Sequence, residues 1–99
     1  MDTWHLFEAE IDGEWLVCMY VGGGSVELCQ EQGGQIAAAF RERGIKYPLR
    51  IRQVGSQEEM MEQCDCRAQD YDEIHDAVKD YCEKLNKDIY PIGPEPSVN

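Results

Sequence analysis

The sequence predicts an α+β fold: a small antiparallel sheet, made of a β-hairpin and a third strand, with three helices in the order β-β-α-β-α-α. Three observations carry this. Residues 3–11 and 14–21 form two strand-like runs on either side of Asp12-Gly13, a strong hairpin signal. Residues 48–54 alternate with a period of two. Residues 70–85 repeat apolar side chains at helical spacing.

A two-residue Asp12-Gly13 loop sets the hairpin register. Ile11 then opposes Glu14, Ala9 opposes Leu16, Phe7 opposes Cys18 and His5 opposes Tyr20. That face is nearly all apolar and is expected to meet the helices. The other face pairs Trp4 with Val21, Leu6 with Met19, Glu8 with Val17 and Glu10 with Trp15. Two readings fit this mixed face. A later segment covers it, which is the reading preferred, or Trp4, Trp15, Val17 and Met19 form a contact surface for a partner or a second copy.

Gly22-Gly23-Gly24 ends the hairpin, and Ser25 is suited to cap a helix. Val26, Cys29, Gly33, Ile36, Ala37 and Phe40 then share one arc, with Glu27, Glu31 and Glu42 opposite. One helix over 26–43 is expected, although Gly33 and Gly34 each cost about 1 kcal/mol inside it. The alternative is a strand at 25–30 followed by a helix from 34. Gly44 terminates the helix, and Arg41 and Arg43 suit its negative end.

Pro48–Val54 predicts the third strand, with Leu49 and Ile51 inward and Arg50 and Arg52 outward. Ser56 to Glu59 reads as a capping box opening a second helix, in which Met60, Met61, Cys64 and Ala68 share an arc. After a joint near Gln69-Asp70, a third helix puts Tyr71, Ile74, Val78, Tyr81, Cys82 and Leu85 on one face, with Asp70 and Glu73 as its capping pair. Residues 1–87 form one domain, and 88–99, with Pro91, Pro94 and Pro96, form an extended tail from which Tyr90 and Ile92 can dock.

The 99 residues carry 20 acids and 9 bases, a net charge of −11. The charge is segmented. Residues 1–40 hold seven acids and no base, 41–52 hold five bases and one acid, and 53–99 hold twelve acids and four bases. Such a chain repels nucleic acid, anionic membranes and acidic substrates, and favours basic partners. The basic stretch at 41–52 is too short for a nucleic-acid site and offsets the chain's own acids. No signal peptide is expected, because Asp2, Glu8 and Glu10 interrupt the start, and no apolar run reaches membrane-spanning length. With five cysteines, an odd number, the reading is a cytoplasmic chain with reduced thiols.

The candidate chemistries are weak. On a continuous helix Cys64 and Cys66 point about 160° apart and do not grip one ion, so no metal or other cofactor is expected. His75 and Cys82 share a side of their helix at roughly 10 Å of rise, too far for one small ion. A Cys–His nucleophile with His5 or His75 lacks an activating environment, since nearby carboxylates raise a thiol pKa. Gly22-Gly-Gly-Ser25 sits where phosphate loops sit, but no Gly-Lys-Ser/Thr follows, and Glu27 would repel a phosphate. No enzymatic motif emerges.

The acidic surface remains. Glu58, Glu59, Glu62 and Asp65 on the second helix, then Asp72, Glu73, Asp76, Asp80 and Glu83 on the third, are expected on the helix backs as one ladder of negative charge. A solvated face is the plain explanation. The sharper one is a surface that a basic, nucleic-acid-binding protein takes for a phosphate backbone. In its shortness, acidity and lack of catalytic motif the chain resembles small phage-encoded inhibitors of host defence, such as anti-CRISPR proteins and other DNA mimics. That resemblance implies a non-enzymatic inhibitor working in the host cytoplasm. The competing expectations are an interaction module using the outer hairpin face, which includes self-association as a homodimer, and a thiol or metal protein built on Cys64, Cys66 and His75.

Overall fold

The computed structural model describes residues 2–89, with side chains through Lys84. It is an α+β fold. Strands β1 (Thr3–Ile11), β2 (Glu14–Gly24) and β3 (Leu49–Val54) form an antiparallel sheet in the order β2-β1-β3. Helix α1 (Val26–Glu42) lies between β2 and β3 in sequence; α2 (Gln57–Gln63), a 3-10 turn (Arg67–Asp70) and α3 (Asp72–Ile89) follow β3. No described helix is long and apolar enough to cross a membrane.

Asp12 and Gly13 both adopt positive φ, 56° and 81°, as a tight turn between twisted strands requires. The expected register holds for the four pairs nearest the turn, from Ile11 with Glu14 to Glu8 with Val17. It then slips by one residue, so that Phe7 opposes Met19, Leu6 opposes Tyr20, His5 opposes Val21 and Trp4 opposes Gly22. Cys18 is the extra residue of a β-bulge. The bulge inverts the alternation of β2, sending Val21 into the core and Tyr20 outward, the reverse of the unbulged expectation. The slip also places Gly22 opposite Trp4, where a Cβ would lie 2.2 Å from the indole. The glycine run is therefore a seat for Trp4, and Ser25 caps α1 by accepting the Leu28 N–H at 3.2 Å.

Helix α1 is continuous, as the uninterrupted period implies. Gly33 lets the helix approach β3 closely: a Cβ there would meet Ile51 Cδ1 at 2.9 Å. Gly44, with φ 80°, ends the helix. Its N–H donates to the Arg41 carbonyl at 2.9 Å, and the Ile45 N–H donates to Phe40 at 3.1 Å. The main core lies between α1, α3 and one sheet face. It includes Phe7, Ala9, Leu16, Cys18, Ile36, Phe40, Ile74 and Ala77, with Phe7 and Phe40 edge to face at 5.5 Å.

The second half of the chain departs from expectation. Helix α2 ends at Gln63 and covers the opposite sheet face, where Met60 joins Leu6, Val17 and Val54 in a second buried cluster. Met61, expected beside Met60, is exposed, and Ala68 belongs to the main core on the other side of the sheet. Residues 64–71 thus carry the chain from one face to the other. The crossing turns at Cys66, whose φ is 54°, and the 3-10 turn docks on β2 as the Gln69 amide donates to the Cys18 carbonyl at 2.6 Å. Asp70 lies in that turn and does not cap α3. The Tyr71 carbonyl instead accepts from the N–H groups of Ile74 and His75. Ile74, Ala77, Val78 and Tyr81 are the buried residues of α3 among those with described side chains. The helix backbone runs to Ile89, past the expected boundary at 87. Residues 90–99, on which most of the tail expectation falls, lie outside the described residues.

Candidate interaction surfaces

The outer sheet face, which carries Trp4, Leu6, Glu8 and Val17, is largely covered by α2. Its polar part is a network. Glu8 is only 3 % exposed, opposite Arg50 across β1 and β3. Arg50 Nε donates to Glu8 Oε1 at 2.7 Å, and Arg52 Nη2 donates to Oε2 at 3.2 Å. Burial alone would raise the Glu8 pKa, but the hydrogen bonds and charges of Arg52 and Arg50 outweigh it and hold the carboxylate below its ordinary value. Arg52 also donates to Gln63 Oε1 at 2.9 Å, and Gln63 donates to Glu59 at 3.0 Å. Arg50 lies 4.2 Å above the Trp15 ring.

The four residues proposed as a hairpin contact surface therefore do not form one exposed patch. Trp15 is half-buried beneath Arg50, and Val17 is buried in the cluster under α2. Met19 packs against the main core because of the bulge, and Trp4 sits half-buried on Gly22. Among these residues, Trp4 alone lines the apolar groove formed on this face. That groove has a volume of about 420 Å³ and is lined by Trp4, Tyr20, Gln57, Met60 and Met61 together with Cys64 and Cys66. Tyr20 is 54 % exposed and Met61 68 % exposed, so two large apolar side chains project beside it. Without the bulge Tyr20 falls on the inward face, and a helix drawn out to Ala68 puts Met61 on the buried arc.

The nine acids do not form one ladder. Those of α2 and its exit stand on the outer side of the sheet, and those of α3 stand on the other, because the two helices cover opposite faces. Several are engaged within the chain. Glu59 accepts the Gly55 N–H at 3.1 Å and the Gln63 amide at 3.0 Å, and Asp65 accepts the Arg67 N–H at 3.2 Å. Arg43 bonds Asp80 and lies 4.0 Å from Asp76. Glu73 faces Tyr47 and pushes the phenol pKa up. Glu58 and Glu62 remain exposed on α2, and Asp72 and Glu83 are exposed on α3.

All five cysteines are free. Burial pushes the Cys18 thiol up to about 12. Burial first, then the bond to Cys66, pushes Cys64 up to about 12 as well. Neither is an activated nucleophile. The expected divergence of Cys64 and Cys66 is overturned: their sulfurs are 3.6 Å apart, because the helix has ended and Cys66 is left-handed. Among the described residues no group of three or more His, Cys, Asp and Glu side chains is arranged to hold a metal ion. His75 is exposed on α3, and His5 is buried with its Nδ1 unpartnered. No protein-family model, curated protein or solved structure matches this chain.

Proposed function

We propose that this chain is a non-enzymatic binding protein that seats a basic protein partner on the outer side of the sheet. The partner places an aliphatic or aromatic side chain in the groove and its lysines or arginines against Glu58 and Glu62. One observation carries the reading: Tyr20 and Met61 project from an apolar groove directly bordered by the acidic helix α2. A desolvated anchor surrounded by complementary charge is the arrangement in which a few residues supply most of a binding energy. The net charge of −11 adds steering toward a basic surface. A nucleic-acid-binding protein is the partner class with such a surface, which keeps the reading within the anti-CRISPR and DNA-mimic type of phage inhibitor. Five free thiols fit a reducing cytoplasm.

A second reading places the contact on α3, where Asp72, Glu73, Asp76 and Glu83 are exposed. Selection of binders from a displayed random-peptide library separates the two. The expected consensus has one large apolar residue flanked by Lys or Arg. Its affinity should fall about tenfold or more in Tyr20→Ala and Met61→Ala, corresponding to about 1.4 kcal/mol, and be unchanged in Asp72→Asn with Glu83→Gln. The reverse pattern moves the interface to α3. Self-association that vanishes in Tyr20→Ala assigns the groove to a second copy.

A further inference from the structure

We infer that Cys64 and Cys66, with the thioether of Met61, form a binding site for a soft monovalent cation of the Cu(I) type. The two sulfurs converge at 3.6 Å. Placed about 2.3 Å from a common ion, they subtend roughly 100° there, within the range of three- and four-coordinate sulfur sites. Met61 lies three residues before Cys64 at the end of α2 and lines the same groove as both cysteines, which makes its thioether the third ligand of this proposal.

The convergence comes from the backbone. Cys64 closes α2, its N–H donating to the Met60 carbonyl at 2.8 Å, while Cys66 turns left-handed and swings its side chain back. Cys64 also packs against the buried Leu6, Val17, Val54 and Met60 cluster, which fixes one ligand. Cys66 is only half-buried, which leaves an entry path.

The donor set selects the ion. Zn²⁺ in a structural site takes four donors, and no third His, Cys, Asp or Glu joins the pair among the described residues. Thiolates and thioethers are the soft ligands that prefer Cu(I), a d¹⁰ cation satisfied by two or three sulfurs. Binding converts two thiols and one Cu⁺ into an anionic bis-thiolate complex with release of two protons and no change of oxidation state. The surrounding negative charge raises the local concentration of cations.

Anaerobic titration of the reduced full chain with the Cu(I)–bicinchoninate complex tests the site. One Cu(I) per chain should be withdrawn from the chromophore, with X-ray absorption showing sulfur ligands only. Affinity should tighten by up to about a hundredfold per pH unit as two protons are displaced. Cys66→Ser, at a half-exposed position expected to keep the fold by circular dichroism, should weaken retention by about a hundredfold or more. Met61→Leu should weaken it less, and Cys82→Ser not at all. Undiminished copper retention in Cys66→Ser, failure of the intact chain to compete, or chemistry limited to a Cys64–Cys66 disulfide would overturn the assignment. The peptide selection is performed without copper, so failure of either proposal leaves the other readable.

Discussion

His5 and Glu8 sit three residues apart on β1, on opposite sheet faces, and both make the fold sensitive to acid. Burial lowers the pKa of His5 below 6.5, and its Nδ1 has no described partner to hold a proton. Its unfolded form therefore takes up a proton first. The stability it protects is complete above about pH 6.5 and declines as the pH falls below that, by at most about 1.4 kcal/mol per pH unit. Glu8 acts lower on the scale. With its pKa held below 4.5, its contribution is present above that value and is lost as the pH drops through the folded pKa. Denaturant midpoints should therefore fall between pH 7 and 5.5 in the native sequence and stay flat over that interval in His5→Leu. Glu8→Gln should cost about 1–3 kcal/mol at pH 7, because it removes charged hydrogen bonds from a buried acceptor, and should blunt the decline below pH 4.5. A native curve as flat as that of His5→Leu would mean that water or a mobile neighbour solvates the imidazole.

Helix α1 provides a comparison within one element. Gly33 and Gly34 are both interior helix residues, and each lacks the propensity of alanine by about 1 kcal/mol. Their surroundings differ. A Cβ at Gly34 meets nothing within 4 Å, whereas at Gly33 it meets Ile51 Cδ1 at 2.9 Å. Gly34→Ala should raise stability by about 1 kcal/mol, or about 4–8 °C in Tm. Gly33→Ala should gain less or lose, because Ile51 must shift. Equal gains in thermal melts would show that Ile51 moves at no cost. The elements themselves were legible wherever the signal is local: the Asp12-Gly13 turn, the 3.6-residue period across α1, the alternation of β3 and the apolar stripe of α3. The bulge was not legible, since Cys18 and Met19 are both acceptable inward residues and only pairing with β1 selects the slip. Nor was the end of α2. Its apolar arc extends on paper to Ala68, but that residue serves the opposite sheet face, and one straight helix cannot serve both. The same mistaken extension separated Cys64 from Cys66 and hid the exposed side of Met61.

At the scale of the molecule, the sheet separates two acidic helices that the sequence treats as neighbours. A partner with one flat basic surface meets the carboxylates of α2 or those of α3. The total charge still acts on the whole fold. Residues 41–52, the only segment with excess positive charge, are drawn into the structure: Arg43 ties α1 to α3, and Arg50 and Arg52 tie β3 to Glu8 and α2. What they leave behind is uncompensated negative charge on both flanks. Self-repulsion across a small globule falls as the Debye length shrinks from about 30 Å at 0.01 M salt to about 8 Å at 0.15 M, while the nearly buried Glu8 pairs are screened much less. Thermal stability should therefore rise with sodium chloride between 0.01 and about 0.15 M. In Arg43→Gln, which removes a tether but adds a further unit of net negative charge, the rise should be steeper. A melting temperature that falls with salt would instead mean that the internal ion pairs outweigh the repulsion, and that the acidic faces are closer to balanced than their residue count implies.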